Sequence, residues 1–193
     1  MSLSVEQGGK VRQIIPLKRI CAGALGALTL ISVAVAQQRI ARPEVPADLK
    51  ATEGEEVVLR AHAEGVQIYS CVAGADGKYA WTLKAPKAQL FDASGKQIGE
   101  HFAGPAWKLK DGSEVSGKAA AKHDAPQANA IPWLLITVTG HKGNGALENV
   151  TTIQRVNTQG GVADASVACD ALKNGAESER PYSADYYFYA PKK

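Results

Sequence analysis

Glycine-centred turn dipeptides cut this chain, beyond about residue 55, into runs that suit strands and little else. Asp76-Gly77, Ser94-Gly95 and Asp111-Gly112 each separate two β-prone runs, and the loop Gly143-Asn144-Gly145 separates two more. Such dipeptides are what tight hairpins require, because one or both central positions need a positive φ that glycine adopts without steric cost. Glu64-Gly65 reads as a further joint of this kind, between EVVLRAHA and VQIYSCV. Within VQIYSCV the period is two: Val66, Ile68, Ser70 and Val72 share one face, and Gln67, Tyr69 and Cys71 the other. Trp133, Leu134, Leu135 and Ile136 are apolar in succession, as in a strand covered on both faces. The only helical suggestion is a short turn within ASVACDALKNGAE, and the final run ADYYFYA predicts a closing strand. The expected fold is all-β, a single antiparallel domain over residues 55–190 with about nine or ten strands. It is either a β-sandwich or a partly closed β-barrel, and the pattern does not choose between them.

The ends of the chain are of a different kind. Lys10, Arg12, Lys18 and Arg19 precede the apolar run ICAGALGALTLISVAVA, which closes on Ala34-Val35-Ala36. That order of basic, apolar and small residues predicts a signal peptide over residues 1–36 and a secreted product, periplasmic or extracellular. No lipobox precedes Cys21. Once the leader is removed no stretch approaches the length of a membrane span. Residues 37–54 hold two prolines and little periodicity, and predict an extended N-terminal arm. The net charge of +3 belongs to the leader, which carries four Lys/Arg against Glu6 and leaves 18 residues of each sign behind. A neutral chain with interspersed charges lacks the basic footprint of a nucleic-acid binder.

Loss of the leader also leaves two cysteines of three. In an oxidising compartment the pair Cys71 and Cys169 predicts a disulfide, which would tie the irregular segment 158–183 back to the sheet. No Cys-His pattern suggests a nucleophile and no C-x-x-C a metal site.

Catalytic motifs are missing where several would be legible. There is no G-x-S-x-G, no H-E-x-x-H, and His62, His101, His123 and His141 stand singly. No cofactor and no metal is expected. The candidate ligand-binding residues are Trp107, which follows Gly104-Pro105 and is the tryptophan best placed for an exposed or pocket position, and a polar patch of Arg60, His62, Gln67 and Tyr69. Arg60 and His62 alternate with apolar Leu59, Ala61 and Ala63; Gln67 and Tyr69 join their face if the chain turns at Glu64-Gly65. Trp81, sharing a face with Tyr79 and Leu83, is expected in the core.

The blocks GVQIYSC, YAWTLKAP, GPAW, IPWLL, TTIQRVNTQGG and YSADYYFY, in this order and spacing from about Val45 to Tyr189, resemble a family of secreted bacterial and fungal proteins known as domain of unknown function 3455. The resemblance implies a signal peptide followed by one domain and brings no activity with it. Some fungal relatives carry a malate dehydrogenase label, to which this chain lends nothing: it has neither a G-x-G-x-x-G after a strand nor βαβ alternation. The expected function is therefore a non-enzymatic module that binds a small molecule or a glycan near Trp107. The alternatives are an envelope-associated structural or assembly protein, and a hydrolase whose histidine and carboxylate groups meet only in space.

Overall fold

In a computed structural model, which describes residues 39–193, the chain forms eight antiparallel strands. They are β1 (Glu55–Ala73), β2 (Tyr79–Phe91), β3 (Gln97–Phe102), β4 (Ala106–Leu109), β5 (Glu114–His123), β6 (Trp133–Lys142), β7 (Thr152–Gly160) and β8 (Glu177–Pro191). Each pairs with its neighbours in sequence, and β8 returns to pair with β1, so the sheet closes into an up-and-down barrel. The all-β, antiparallel expectation holds, and of the two architectures left open the barrel is the one formed. The signal peptide lies outside the described residues. Among those described, no helix is long and apolar enough to cross a membrane.

The strand count is eight, below the expected nine or ten, and Gly65 is the main reason. EVVLRAHA and VQIYSCV are one continuous strand of 19 residues. Gly65 is not a turn residue; it is the point where β1 presses on β2, and a Cβ built there would lie 2.2 Å from the Lys87 carbonyl oxygen and 2.5 Å from the Ala88 Cα. A strand glycine of this kind permits close backbone approach. The other turn readings hold: Gly77, Gly95 and Gly112 adopt φ of 75°, 79° and 93° in the hairpins they were expected to close.

Alternation along the strands fills the barrel. β8 sends Tyr182, Ala184, Tyr186 and Phe188 inward, where they meet Ala61, Ala63, Leu90, Trp107, Val115, Ile136 and Ile153 in the main core. The intervening Tyr187 and Tyr189 pack on the outer wall with Leu49, Trp133 and Val156 in a second, smaller cluster. That cluster is roofed by the N-terminal arm, whose 3₁₀ turn Ala47–Leu49 buries Leu49 completely. Burial of one leucine is worth about 1.5–3 kcal/mol, and polar contacts add to it: Arg42 stands over the Tyr189 ring at 5.2 Å, and the Gln154 amide donates to the Leu49 carbonyl. Glu55 accepts hydrogen bonds from Thr52 and from the hydroxyls of Thr151 and Thr152. The roof explains why WLLI and YYFY lack clean alternation. Both strands are covered inside by the core and outside by the arm.

Cys71 and Cys169 are bridged, with Cα atoms 5.5 Å apart and a sequence separation of 98. The bridge fastens the long β7–β8 connection to the end of β1, beside backbone hydrogen bonds from Cys71 N to Ala176 O (2.9 Å) and from Gly175 N to Cys71 O (2.8 Å). Within this connection a 3₁₀ turn, Ala171–Lys173, is capped by the Asp170 carboxylate. Trp81 reaches the same connection, its indole N–H donating to Val167 O at 2.8 Å. It is half-buried and Leu83 is exposed, which corrects the expectation of a core position for Trp81. The end of β2 projects past the barrel core, so its residues meet the loop and not the interior.

Candidate functional site

Between the ends of β2, β4, β5 and β6 the barrel interior opens into a cavity of about 330 Å³. Its apolar lining comes from Leu83, Ala85, Pro86, Ala119, Leu134 and Ile136, and its polar lining from Gln67, His101, Trp107, Arg155 and Tyr186. Each polar group is there because strand parity points it inward. Gln67 follows Ala61 and Ala63 on the inner face of β1, Arg155 follows Ile153 on β7, and Tyr186 lies between Ala184 and Phe188 on β8.

Trp107 is 1% exposed and forms the cavity's inner wall. The exposed position considered for it is thus corrected, while the pocket position is the one it occupies. Its ring stacks on His101 at 4.4 Å with the planes 9° apart, and the edge of Tyr186 meets it at 5.5 Å. His101 Nδ1 donates to the Ala106 carbonyl at 2.8 Å, which leaves Nε2 as an acceptor. Burial pushes the His101 pKa down to about 3, against a smaller upward pull from Ala106 O and with a further downward push from Arg155. At neutral pH the imidazole carries no charge.

The cavity is rich in donors that lack partners. Gln67 Nε2, Trp107 Nε1 and the hydroxyls of Tyr186 and Tyr182 are buried and reach no partner in hydrogen-bonding geometry, although Arg155 and Tyr182 stand beside the Tyr186 hydroxyl and Gln67 beside that of Tyr182. Burial raises the pKa of both tyrosines, so both hydroxyls keep their protons. Arg155 donates through Nε (3.1 Å) and Nη2 (2.7 Å) to the Pro132 carbonyl. Among the described residues no carboxylate forms an ion pair with it.

The patch expected from Arg60, His62, Gln67 and Tyr69 does not assemble. Because β1 runs straight through Gly65, parity separates its members: Gln67 is inside at 1% exposure, and Arg60 and His62 are on the outer wall. Tyr69 lies beyond a register shift after Ile68, its hydroxyl donating to Gly161 O at 2.8 Å. Arg60 and His62 do stay together, around a residue the sequence did not single out. Asp185 accepts from Arg60 Nη2 at 3.0 Å, from His62 Nδ1 at 3.0 Å and from Asn157 Nδ2 at 2.9 Å. Burial would raise the Asp185 pKa, but the hydrogen bonds from Asn157, His62 and Arg60 outweigh it and hold the carboxyl below its ordinary value. His123 stands 3.4 Å from Asp48 on the arm. Among the described residues no group of three or more His, Cys, Asp or Glu is placed to hold a metal ion.

Arg155, His101, Tyr182 and Tyr186 were not foreseen. The signal for Arg155 was present in TTIQRVN, where a cation shares the alternation of Ile153, but its meaning depends on knowing which face is interior.

A family model described as a protein of unknown function (DUF3455) matches residues 51–190. No curated protein matches the chain, and no solved structure does.

Proposed function

Because this chain belongs to the DUF3455 family, over residues that take in the whole barrel and its cavity, we propose that it is a secreted, non-enzymatic barrel that holds one small molecule in the cavity walled by Trp107. The observation that carries this is the set of buried, unpartnered polar atoms around the cavity. A buried donor left without a partner costs about 1–3 kcal/mol, and native structures rarely keep several together without a use for them. An eight-stranded barrel has an interior just wide enough to be filled by side chains or to hold one small ligand, and a volume of about 330 Å³ lies at the small end of ligand sites.

The geometry favours an enclosed small molecule over a glycan. Sugar rings stack on open aromatic faces, and one face of Trp107 is already covered by His101. It also ranks the other readings lower. The closed barrel leaves no open sheet edge on which an assembly could grow. For a hydrolase, His62 and Asp185 form a histidine-carboxylate couple, yet among the described residues no hydroxyl or thiol hydrogen-bonds to His62.

Ala119 tests the proposal. It is exposed and lines the cavity, so Ala119→Trp obstructs the opening without disturbing the core. A thermal-shift screen of small polar and apolar compounds is expected to find stabilising ligands for the native protein, by about 2.7 kcal/mol at 100 times Kd, and none for the variant at unchanged intrinsic stability. Equal stabilisation of both proteins places binding elsewhere and refutes the cavity.

A further inference from the structure

We infer that the cavity is a carboxylate site, with Arg155 as the head-group cation and the Trp107 side of the cavity holding a small apolar body. This rests on the proposal that the cavity binds a small molecule, and it names the class of that molecule.

Three observations converge. First, Arg155 is an inward-facing charge of the cavity, and its neighbours there are neutral: it donates two hydrogen bonds to the carbonyl of Pro132 and stands beside the hydroxyl of Tyr186. A guanidinium has five N–H donors in a planar fork that matches a carboxylate, and two of them are engaged here. Second, the buried side-chain atoms around it that lack partners are all able to donate. Trp107 Nε1 and Gln67 Nε2 can only donate, and the Tyr186 hydroxyl, kept protonated by burial, is able to donate. The neighbouring His101 is neutral, so it supplies no second charge. A neutral ligand leaves the arginine without a counter-charge; an anion satisfies the cation and the donors together. Third, the remaining wall is apolar and small-featured, with Ala85, Pro86, Pro105, Leu134 and Ile136, which suits a hydrocarbon body and gives a hydrated inorganic anion nothing to bind.

Lys84 is the other cation at the cavity, but it forms an ion pair with Glu177. Arg155 is thereby distinguished from it as the free partner for a ligand carboxylate.

Benzoate and benzamide separate the two levels of inference, because they share shape and differ in charge. The indole N–H resonance of Trp107 reports on the cavity by ¹H–¹⁵N chemical-shift titration, with those of Trp81 and Trp133 as internal references. Benzoate is expected to move the Trp107 signal in a saturable way and benzamide to bind about tenfold or more weakly. In Arg155→Gln the benzoate advantage is expected to vanish while benzamide binding is retained, and Arg155→Lys is expected to restore part of it. The native-protein comparison stands alone if Arg155→Gln does not fold. Benzamide binding as tightly as benzoate overturns the carboxylate inference and leaves the cavity proposal intact. If neither compound moves the Trp107 signal, the cavity proposal falls and the inference with it.

Discussion

Replacing both bridged cysteines, Cys71→Ala with Cys169→Ala, is expected to destabilise the barrel by up to about 4.7 kcal/mol without changing its native structure. The figure follows from the sequence separation of 98: with the entropy lost on closing a loop taken as about 2.1 plus 1.5R ln n cal/mol/K, the unfolded chain regains about 16 cal/mol/K when the link is removed. The native state has other means of holding the same loop. Cys71 N and O bond to Ala176 and Gly175, Tyr69 OH bonds to Gly161 O, and the Trp81 indole bonds to Val167 O. The loss therefore acts through the unfolded ensemble. At about 2–4 °C per kcal/mol for a protein of this size, Tm should fall by roughly 9–19 °C. Urea denaturation followed by far-UV circular dichroism is the assay, and the slope m should rise as the unlinked chain exposes more surface. A loss below about 1 kcal/mol with unchanged m would refute the loop-closure reasoning.

Two further substitutions probe the wall itself. Gly65→Ala puts a methyl group within 2.2 Å of the Lys87 carbonyl oxygen and should cost at least about 1–3 kcal/mol, whereas Gly54→Ala, where a Cβ meets nothing within 4 Å, should change stability by less than about 0.5 kcal/mol; thermal denaturation of the pair decides it. Asp185→Asn should cost about 1–3 kcal/mol at neutral pH, because it weakens the contacts with Arg60 and His62. The native carboxyl has a folded pKa below its unfolded value, so its contribution is complete above about pH 4 and is lost as pH falls through the folded pKa. The difference between the two proteins, measured by urea denaturation across pH, should be flat near neutrality and narrow below about pH 4.

What the sequence made legible was mostly local. The hairpins at Gly77, Gly95 and Gly112 follow from turn stereochemistry, and the disulfide follows from compartment and cysteine parity. Trp107 was offered for an exposed or a pocket position, on the strength of its place after Gly104-Pro105. Each of these needs no knowledge of which face of a strand is inside. The misreadings need that knowledge. Glycine at 65 serves close packing and not a turn, and only the position of Lys87 and Ala88 distinguishes the two uses. Once that joint is read as continuous strand, Gln67 moves from the company of Arg60 and His62 into the interior. Asp185 and Arg155 were hidden for a related reason: their partners are more than 20 residues away in sequence, His62 for one and Pro132 for the other, brought near only by barrel closure and strand pairing. The double covering of β6 and β8 blurred their alternation, and with it the inward direction of Tyr182 and Tyr186.

A small carboxylate bound inside this barrel can be located crystallographically. Crystals grown with 4-bromobenzoate and measured at the bromine absorption edge give the most direct test. An anomalous peak within the cavity on the Trp107 side, with carboxylate density on Arg155, is expected. A cavity without bromine at a concentration that saturates the protein in solution, or a peak confined to the outer wall, would contradict a carboxylate site there.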